Sequence, residues 1–256
     1  MTDQPHPLAV ELLDVHRLHL VETVPPRLTQ EQIAAMDRGW NEMTANNPSM
    51  FDGPVAVCAG LDWKEPGTLV LTWYPATYRL YVLRLDPVHA VSAPSVFVSV
   101  AQPTDDGRLL VGRMATSTAA PGRWQLPGGT IEPPADGTGL DQDALRLHAS
   151  RELLEEIGRD VPPEDLNLWA VTRGNKGNIG IHFRAPACPA ETLSRQYAEL
   201  VSADRAQGRV PELDRIAFVR TAADVGHLGG RSVDFLPVLA ARHARTDTPP
   251  QADSGE

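Results

Sequence analysis

Cysteine, basic charge and long apolar runs are all scarce in this chain of 256 residues, and each scarcity excludes something. The two cysteines, Cys58 and Cys188, are far apart and in no metal-site spacing. They read as buried small hydrophobes in a reducing, cytoplasmic setting. Lys and Arg number 23 against 33 Asp and Glu, a net charge of −10. No basic stripe is available to follow a phosphate backbone, which argues against binding a nucleic-acid duplex. A small phosphorylated ligand stays open, because a metal would bridge its charge. No apolar run approaches the roughly 18 residues of a membrane span, and the polar N-terminus lacks the apolar centre of a signal peptide. The hydrophobic fraction of 42% is ordinary for a globular protein. The length allows one large domain or two small ones.

What is present is an acidic helix behind a glycine-rich loop. Gly128-Gly129 is followed after thirteen residues by Asp143, and after seven more by Arg151-Glu152-Leu153-Leu154-Glu155-Glu156-Ile157-Gly158. At about 100° per residue, Glu152, Glu155 and Glu156 share one side of the helix. Leu153, Leu154 and Ile157 point elsewhere, so the packing side and the acidic side read as separate. A solvated face is the ordinary meaning of such glutamates. Here Trp124-Gln125-Leu126-Pro127 reads as a strand entering a turn, and Gly158 stands where a C-cap glycine would. Clustered carboxylates need solvent or cations, and hard oxygen ligands select Mg²⁺ or Mn²⁺.

Leu126-Pro127-Gly128-Gly129 together with Arg151 to Gly158 resembles the signature of the Nudix hydrolases, G-x5-E-x7-R-E-U-x-E-E-x-G-U with U a bulky aliphatic residue. Three departures are visible. Asp143 occupies the position of the first glutamate, the loop before it is eight residues longer than the family's, and Arg159 replaces the last aliphatic residue, with Val161 nearby. The resemblance implies an α/β fold, an α/β/α sandwich with a mixed sheet. It also implies metal-dependent attack on a diphosphate linkage. Metal ligands then fall at Glu152, Glu155, Glu156 and the carbonyl of Gly128. Arg151 would fork a carboxylate of the cluster. Glu212, before the last strand, resembles a further ligand or base, and a surface carboxylate is its bland alternative. Asp143 reads as an N-cap or first-turn residue, a role Asp141 fills equally well, or as a metal-site residue. His148 lies four residues before Glu152 on the same side of the helix and reads as packed or exposed, with a proton acceptor near the metals as the alternative. Arg113, Arg123, Arg173 and Lys176 are candidates for holding phosphates, with Arg123, just before the glycine loop, the best of them for substrate.

Along the chain the pattern divides into a β-rich N-terminal subdomain (8–94), a Nudix domain (95–244) and a disordered tail (245–256). Leu8 to Glu22 reads as one or two strands. Thr29 and Gln32 form a capping box for a helix over 30–44. Strands over 55–61 and 68–73 flank a turn at 64–67, and Tyr78 to Leu85 continues the β pattern. Strands at 96–101 and 109–113 are expected to pair as a hairpin. Strands at 166–172, 179–184 and 216–220 follow the signature helix, with helices over 191–202 and 232–244. Trp40, Asn47-Pro48, Phe51-Asp52-Gly53-Pro54 and Thr77-Tyr78-Arg79 are similar to the accessory region of Nudix proteins that cleave UDP-sugars. Ordinary packing is the plain reading of Trp40 and Phe51. A nucleotide-sugar is therefore the favoured substrate, with nucleoside triphosphates as the alternative. A ligand-sensing, non-catalytic module is the other class, but such modules commonly lose the carboxylates this chain keeps. Many members of the family are dimers, so a homodimer is open, with the N-terminal unit as its interface. Pro133-Pro134 and the glycines at 137 and 139 make the insertion a stiff, hinged lip. Deleting Pro133–Gly139 is expected to change the Michaelis constant or the substrate preference in steady-state assays, and unchanged values for both would refute that role.

Overall fold

The computed structural model describes residues 10–48, 50–118, 120–134 and 139–246. The expectations for residues 1–7, for Gly137 in the insertion and for the tail beyond 246 lie outside the described residues. The first part holds β1 (Glu11–Leu13), β2 (Arg17–Glu22), α1 (Gln30–Asn46), β3 (Pro54–Glu65) and β4 (Thr68–Thr77). Next come β5 (Val96–Ala101), β6 (Leu109–Met114), β7 (Arg123–Gln125) and α2 (Gln142–Ile157). The chain then runs through β8 (Asn167–Arg173), β9 (Ile179–Arg184), α3 (Ala190–Ala206), β10 (Leu213–Val219), α4 (Ala222–His227), β11 (Arg231–Ser232) and α5 (Leu236–Thr246).

Strand periodicity sets the layers. Successive side chains of a strand point to opposite faces, and β6 shows the result. Leu110 packs with Leu145, Ala149, Leu153 and Ile157 of α2 and Leu193 of α3. Its neighbours Leu109 and Val111 pack with Val225 of α4 and Leu236, Leu239 and Ala240 of α5. Helices thus cover both faces of the β layer, which is an α/β/α sandwich. Two four-stranded sheets form that layer, in the orders β1-β8-β9-β5 and β10-β6-β7-β11. Both are mixed, because β5 runs parallel to β9 and β11 parallel to β7 while the other pairs are antiparallel.

The segment before residue 95 is stitched to the rest. β1 pairs with β8 in the first sheet. β2, β4 and β3 form a third sheet whose Leu18, Ala56, Leu69, Leu71 and Trp73 enter the same apolar cluster as β5 and α2. The amides of Ala56 and Cys58 donate to the carbonyls of Ile131 and Pro94 at 2.8 and 2.9 Å. The capping box at Thr29 and Gln32 is present with both reciprocal bonds.

Several expectations are corrected. Tyr78–Arg84 is a 3-10 helix, not a strand. Its buried residues Leu80 and Leu83 lie three apart, the repeat that stacks side chains in that helix, so the apolar run is not an alternation. β5 and β6 do not form a hairpin ladder. They lie in different sheets, and the segments between them are joined by the bridge Pro103↔Leu109 and by the Leu110 amide donating to the Gln102 carbonyl at 3.0 Å. Proline has no N–H to extend a ladder, and the Gln102 side chain donates instead to the Pro103 and Pro186 carbonyls. Ser232 ends the short strand β11, so the last helix starts at Leu236, and α4 was not anticipated. Helix α5 takes in Arg245 and Thr246, which were assigned to the tail.

Behind β5 lies a buried polar relay. His182 Nδ1 is 2.7 Å from Ser99 Oγ and His182 Nε2 is 2.8 Å from Thr172 Oγ1, joining β5, β8 and β9. Burial pushes the His182 imidazole down to about 3. The folded protein therefore refuses a proton that the unfolded chain takes up near pH 6.5. Stability from this group is intact above about pH 6.5 and drains as pH falls toward 3, by about 1.4 kcal/mol per pH unit. Urea titrations of His182→Gln are expected to give lower stability at pH 7 but a shallower loss between pH 6 and 4 than the parent. Equal slopes would remove His182 as the cause.

Candidate active site

The glycine loop is placed by backbone bonds on the free edge of β5. The Val98 and Val100 amides donate to the carbonyls of Gly129 and Pro127 at 3.0 and 2.8 Å, and the Ile131 amide donates to Val96. Gly128 has φ +150, and a Cβ there would lie 2.2 Å from the Val98 carbonyl oxygen. Only glycine fits at that point. A Cβ on Gly129 would lie 2.6 Å from Glu152 Oε1, so the loop is pressed against the helix carboxylate.

Helix α2 delivers the acidic cluster. Its N-cap is Asp141, whose side chain accepts from the Ala144 amide at 2.8 Å. Asp143 sits in the first turn, exposed, and pairs with Arg146, away from the glutamates. Gly158 ends the helix at φ 74, the left-handed cap expected of it. Val161 is buried in the core cluster beside Ile157 and Leu166, while Arg159 is half-buried. The insertion residues 135–138 lie outside the described residues.

The acidic and packing sides are not separate. Glu156 is buried beside Ile157, and Leu154 is 45% exposed. Glu156 Oε2 accepts from the Gly128 amide at 2.8 Å. Burial raises this carboxyl well above its usual range. Glu152 raises it further, the Gly128 N–H opposes the rise, and Glu212 and Glu155 add to it. Glu212 lines the cleft next to Gly128 and Gly129. Its own carboxyl is raised by its recessed position, by Glu152 and by Glu155. The four carboxylates therefore share one electrostatic field, although Glu212 lies 56 residues beyond Glu156 in the chain. Among the described residues, no three acidic, His or Cys side chains stand together as a formed metal cage.

One expectation about neighbours changes, and the packed reading of His148 is borne out. Arg151 reaches Glu132 at 3.7 Å, and among the described residues no ion pair joins it to the glutamates of its own helix. His148 is buried, with Nε2 2.8 Å from Glu152 Oε1. The four-residue spacing on one helix face was the signal for that contact.

A cleft of about 680 Å³ opens from the glycine loop. Its walls include Ser99, Arg123, Gln125, Asn178 and the aromatic residues Phe51, Tyr78, Phe97 and Phe235. Phe51 is 76% exposed, so it is not ordinary core packing, whereas Trp40 packs edge-on against Tyr78. Arg123 reaches the cleft as anticipated, while Arg113 is tied to Asp214 at 2.7 Å and Arg173 does not line it. The aromatic walls were not legible, because they come from four separate stretches of sequence.

A strained glycine loop thus lies against an acidic helix at the mouth of a cleft in an α/β/α sandwich. The NUDIX domain family model matches residues 93–223, just over half the chain, and the chain belongs to that family. It is a Nudix-type pyrophosphohydrolase acting on a nucleoside diphosphate derivative. No curated protein matches it. Similar solved structures include a MutT protein from Methanosarcina mazei Go1, 19% identical, covering 62% of this chain and 100% of that one at a TM-score of 0.40. Another is the NUDIX domain of Shewanella oneidensis NrtR complexed with ADP ribose, 18% identical over 67% of this chain and 98% of that one, at 0.38. A third is DR0079 from Deinococcus radiodurans, 15% identical over 74% of this chain and 98% of that one, at 0.40. Among the described residues no helix is long and apolar enough to cross a membrane.

The contact of Gly129 with Glu152 separates fold from chemistry. Gly129→Ala displaces only the end of a flexible side chain, so the midpoint of thermal unfolding should move little. Activity should fall at least about tenfold, since small misplacements of reacting groups are costly. Equal activity in the variant would show that Glu152 need not hold this position.

Proposed function

We propose that this protein is a divalent-metal-dependent hydrolase of nucleoside diphosphate derivatives, with nucleotide-sugars the favoured substrates. The carrying observation is the shared field of Glu152, Glu155, Glu156 and Glu212, in which the carboxyls of Glu156 and Glu212 are raised and, among the described residues, no Lys or Arg pairs with any of the four, His148 alone contacting Glu152. Such a group is costly unless a cation enters it. An all-oxygen donor set fits Mg²⁺ or Mn²⁺. Glu152, Glu155 and Glu156, with the Gly128 carbonyl, would hold the metal, and Glu212 would serve as a further ligand or as a base. When bound, the metal would polarise phosphoryl oxygens and lower the pKa of a coordinated water.

The remaining work falls to the chain's own groups. The Gly128 amide fixes the Glu156 carboxylate, and His148 holds one oxygen of Glu152 in place. Arg123 stands in the cleft to neutralise the diphosphate. Phe51, Phe97 and Phe235 offer apolar faces on which a base would lie. Phe51 and Tyr78 come from the stretch assigned to 8–94, which supports an accessory role for that region in choosing substrate. The shared cleft and its volume accommodate a nucleotide with a second moiety attached.

Purified protein incubated with nucleotide-sugars, nucleoside triphosphates and dinucleoside polyphosphates in Mg²⁺ or Mn²⁺ should release a nucleoside monophosphate and a sugar phosphate from the first group. Hydrolysis of triphosphates alone would discard the nucleotide-sugar reading. Glu152→Gln should lose at least about a hundredfold in kcat, the scale of removing one charge-stabilising group, while circular dichroism stays unchanged. A fully active Glu152→Gln protein would sink the metal assignment.

A further inference from the structure

Adjoining the main cleft, whose charged lining residues are Arg123 and Glu212, lies a second cavity of about 340 Å³ lined by cations. It shares Tyr78, Ser95, Arg123 and Thr130 with the first, so the two adjoin. Arg84, Arg123 and Lys176 line it, and no carboxylate does. In a chain of net charge −10 that segregation is unusual. Several arginines elsewhere are tied to carboxylates, as in Arg79 with Asp37, Arg108 with Asp106, Arg113 with Asp214 and Arg209 with Asp204. Among the described residues, none of the three cavity cations has such a partner.

Two of the three are also positioned. Arg84 ends the 3-10 helix with its guanidinium 5.5 Å from the centre of the Tyr81 ring. Lys176 sits on the turn between β8 and β9, which is pinned on both sides. The Asn175 amide donates to Asp234 Oδ2 at 2.9 Å, and Asn178 Oδ1 accepts from the Ser95 amide at 3.2 Å. Glu212 lines only the first cavity and Arg84 and Lys176 only the second, with Arg123 shared between them. With Arg123 engaged by the diphosphate, Arg84 and Lys176 are left for a further anionic group. The first cavity is already of the size that holds a complete small ligand.

We propose that the second cavity is an anion subsite, and that the preferred substrates carry, besides the diphosphate, one more anionic group, a carboxylate or a phosphate monoester, on the attached moiety. This rests on the reaction proposed above for the same groove. No covalent step is added, because the subsite only holds charge.

Matched pairs of compounds test it: UDP-glucose against UDP-glucuronate for the carboxylate, and ADP-ribose against ADP-ribose 2′-phosphate for the phosphate. In at least one pair the charged member should show kcat/KM higher by about tenfold, the scale of one charge-assisted contact. The preference should fall to near unity in Arg84→Ala/Lys176→Ala and persist in Lys176→Arg, where the charge is kept. The ratio is internal to each protein, so a general loss of active fraction does not move it. Equal handling of both members of both pairs, or a preference that survives the double alanine variant, overturns the subsite. If nothing is cleaved, the proposed reaction fails. The subsite is then judged by calorimetric affinities of the same pairs for Glu152→Gln protein, and absent binding or equal affinities overturn it.

Discussion

The hydrogen bond from the Gly128 amide to the buried Glu156 carboxylate is the contact on which the site depends. It joins a loop that only glycine permits to a helix that must bury its packing face. Glu156 sits where the helix would otherwise place an apolar residue, flanked by Leu153 and Ile157 in the core. A charged group there is tolerable only if its lone pairs are met. One is met by the loop. The rest face carboxylates of like sign, which is why the proton affinity of Glu156 rises. The same burial that makes the position costly in isolation gives it a high appetite for a cation.

That contact holds only because β5 is rigid behind it. The loop takes the edge of β5 that no strand occupies, and β9 takes the other edge. Ser99 of β5 is bonded to His182 of β9, which is bonded to Thr172 of β8. A neutral imidazole with both nitrogens engaged ties three strands without placing a charge in the core. Phe97 and Phe235 pack against that ring, and both also wall the cleft. Core and site are thus built from the same side chains.

Legibility followed sequence distance. The glycine loop, the acidic helix and its left-handed terminus were readable because each is set by residues within one or two helical turns. The capping box at Thr29 and Gln32 is of the same kind. Tyr78–Arg84 was misread because a short apolar run carries no reliable period until its partners are known. The expected β5–β6 ladder failed for a related reason: the chain does turn between Thr104 and Arg108, but the partners of each strand are chosen by sheet topology, which a local turn does not reveal. Arg151 was assigned by analogy to the cluster, yet the longer loop brings Glu132 within its reach. An insertion changes the neighbours of residues that the motif itself leaves unchanged.

The groove is assembled from pieces that are remote in sequence, and this has a consequence for specificity. Phe51 and Arg84 come from the stretch before β5, Arg123 from β7, Lys176 from the β8–β9 turn and Glu212 from the approach to β10. The carboxylates take their positions from a helix and a strained loop that belong to the fold itself. The cations, with Phe51 and Tyr78, sit on turns and segment ends, where substitution costs little stability, whereas Phe97 and Phe235 belong to the core as well. Reaction and selectivity are therefore physically separable in this protein. The carboxylates gather about the buried Glu156 beside the glycine loop, and Arg84 and Lys176 line only the adjoining cavity.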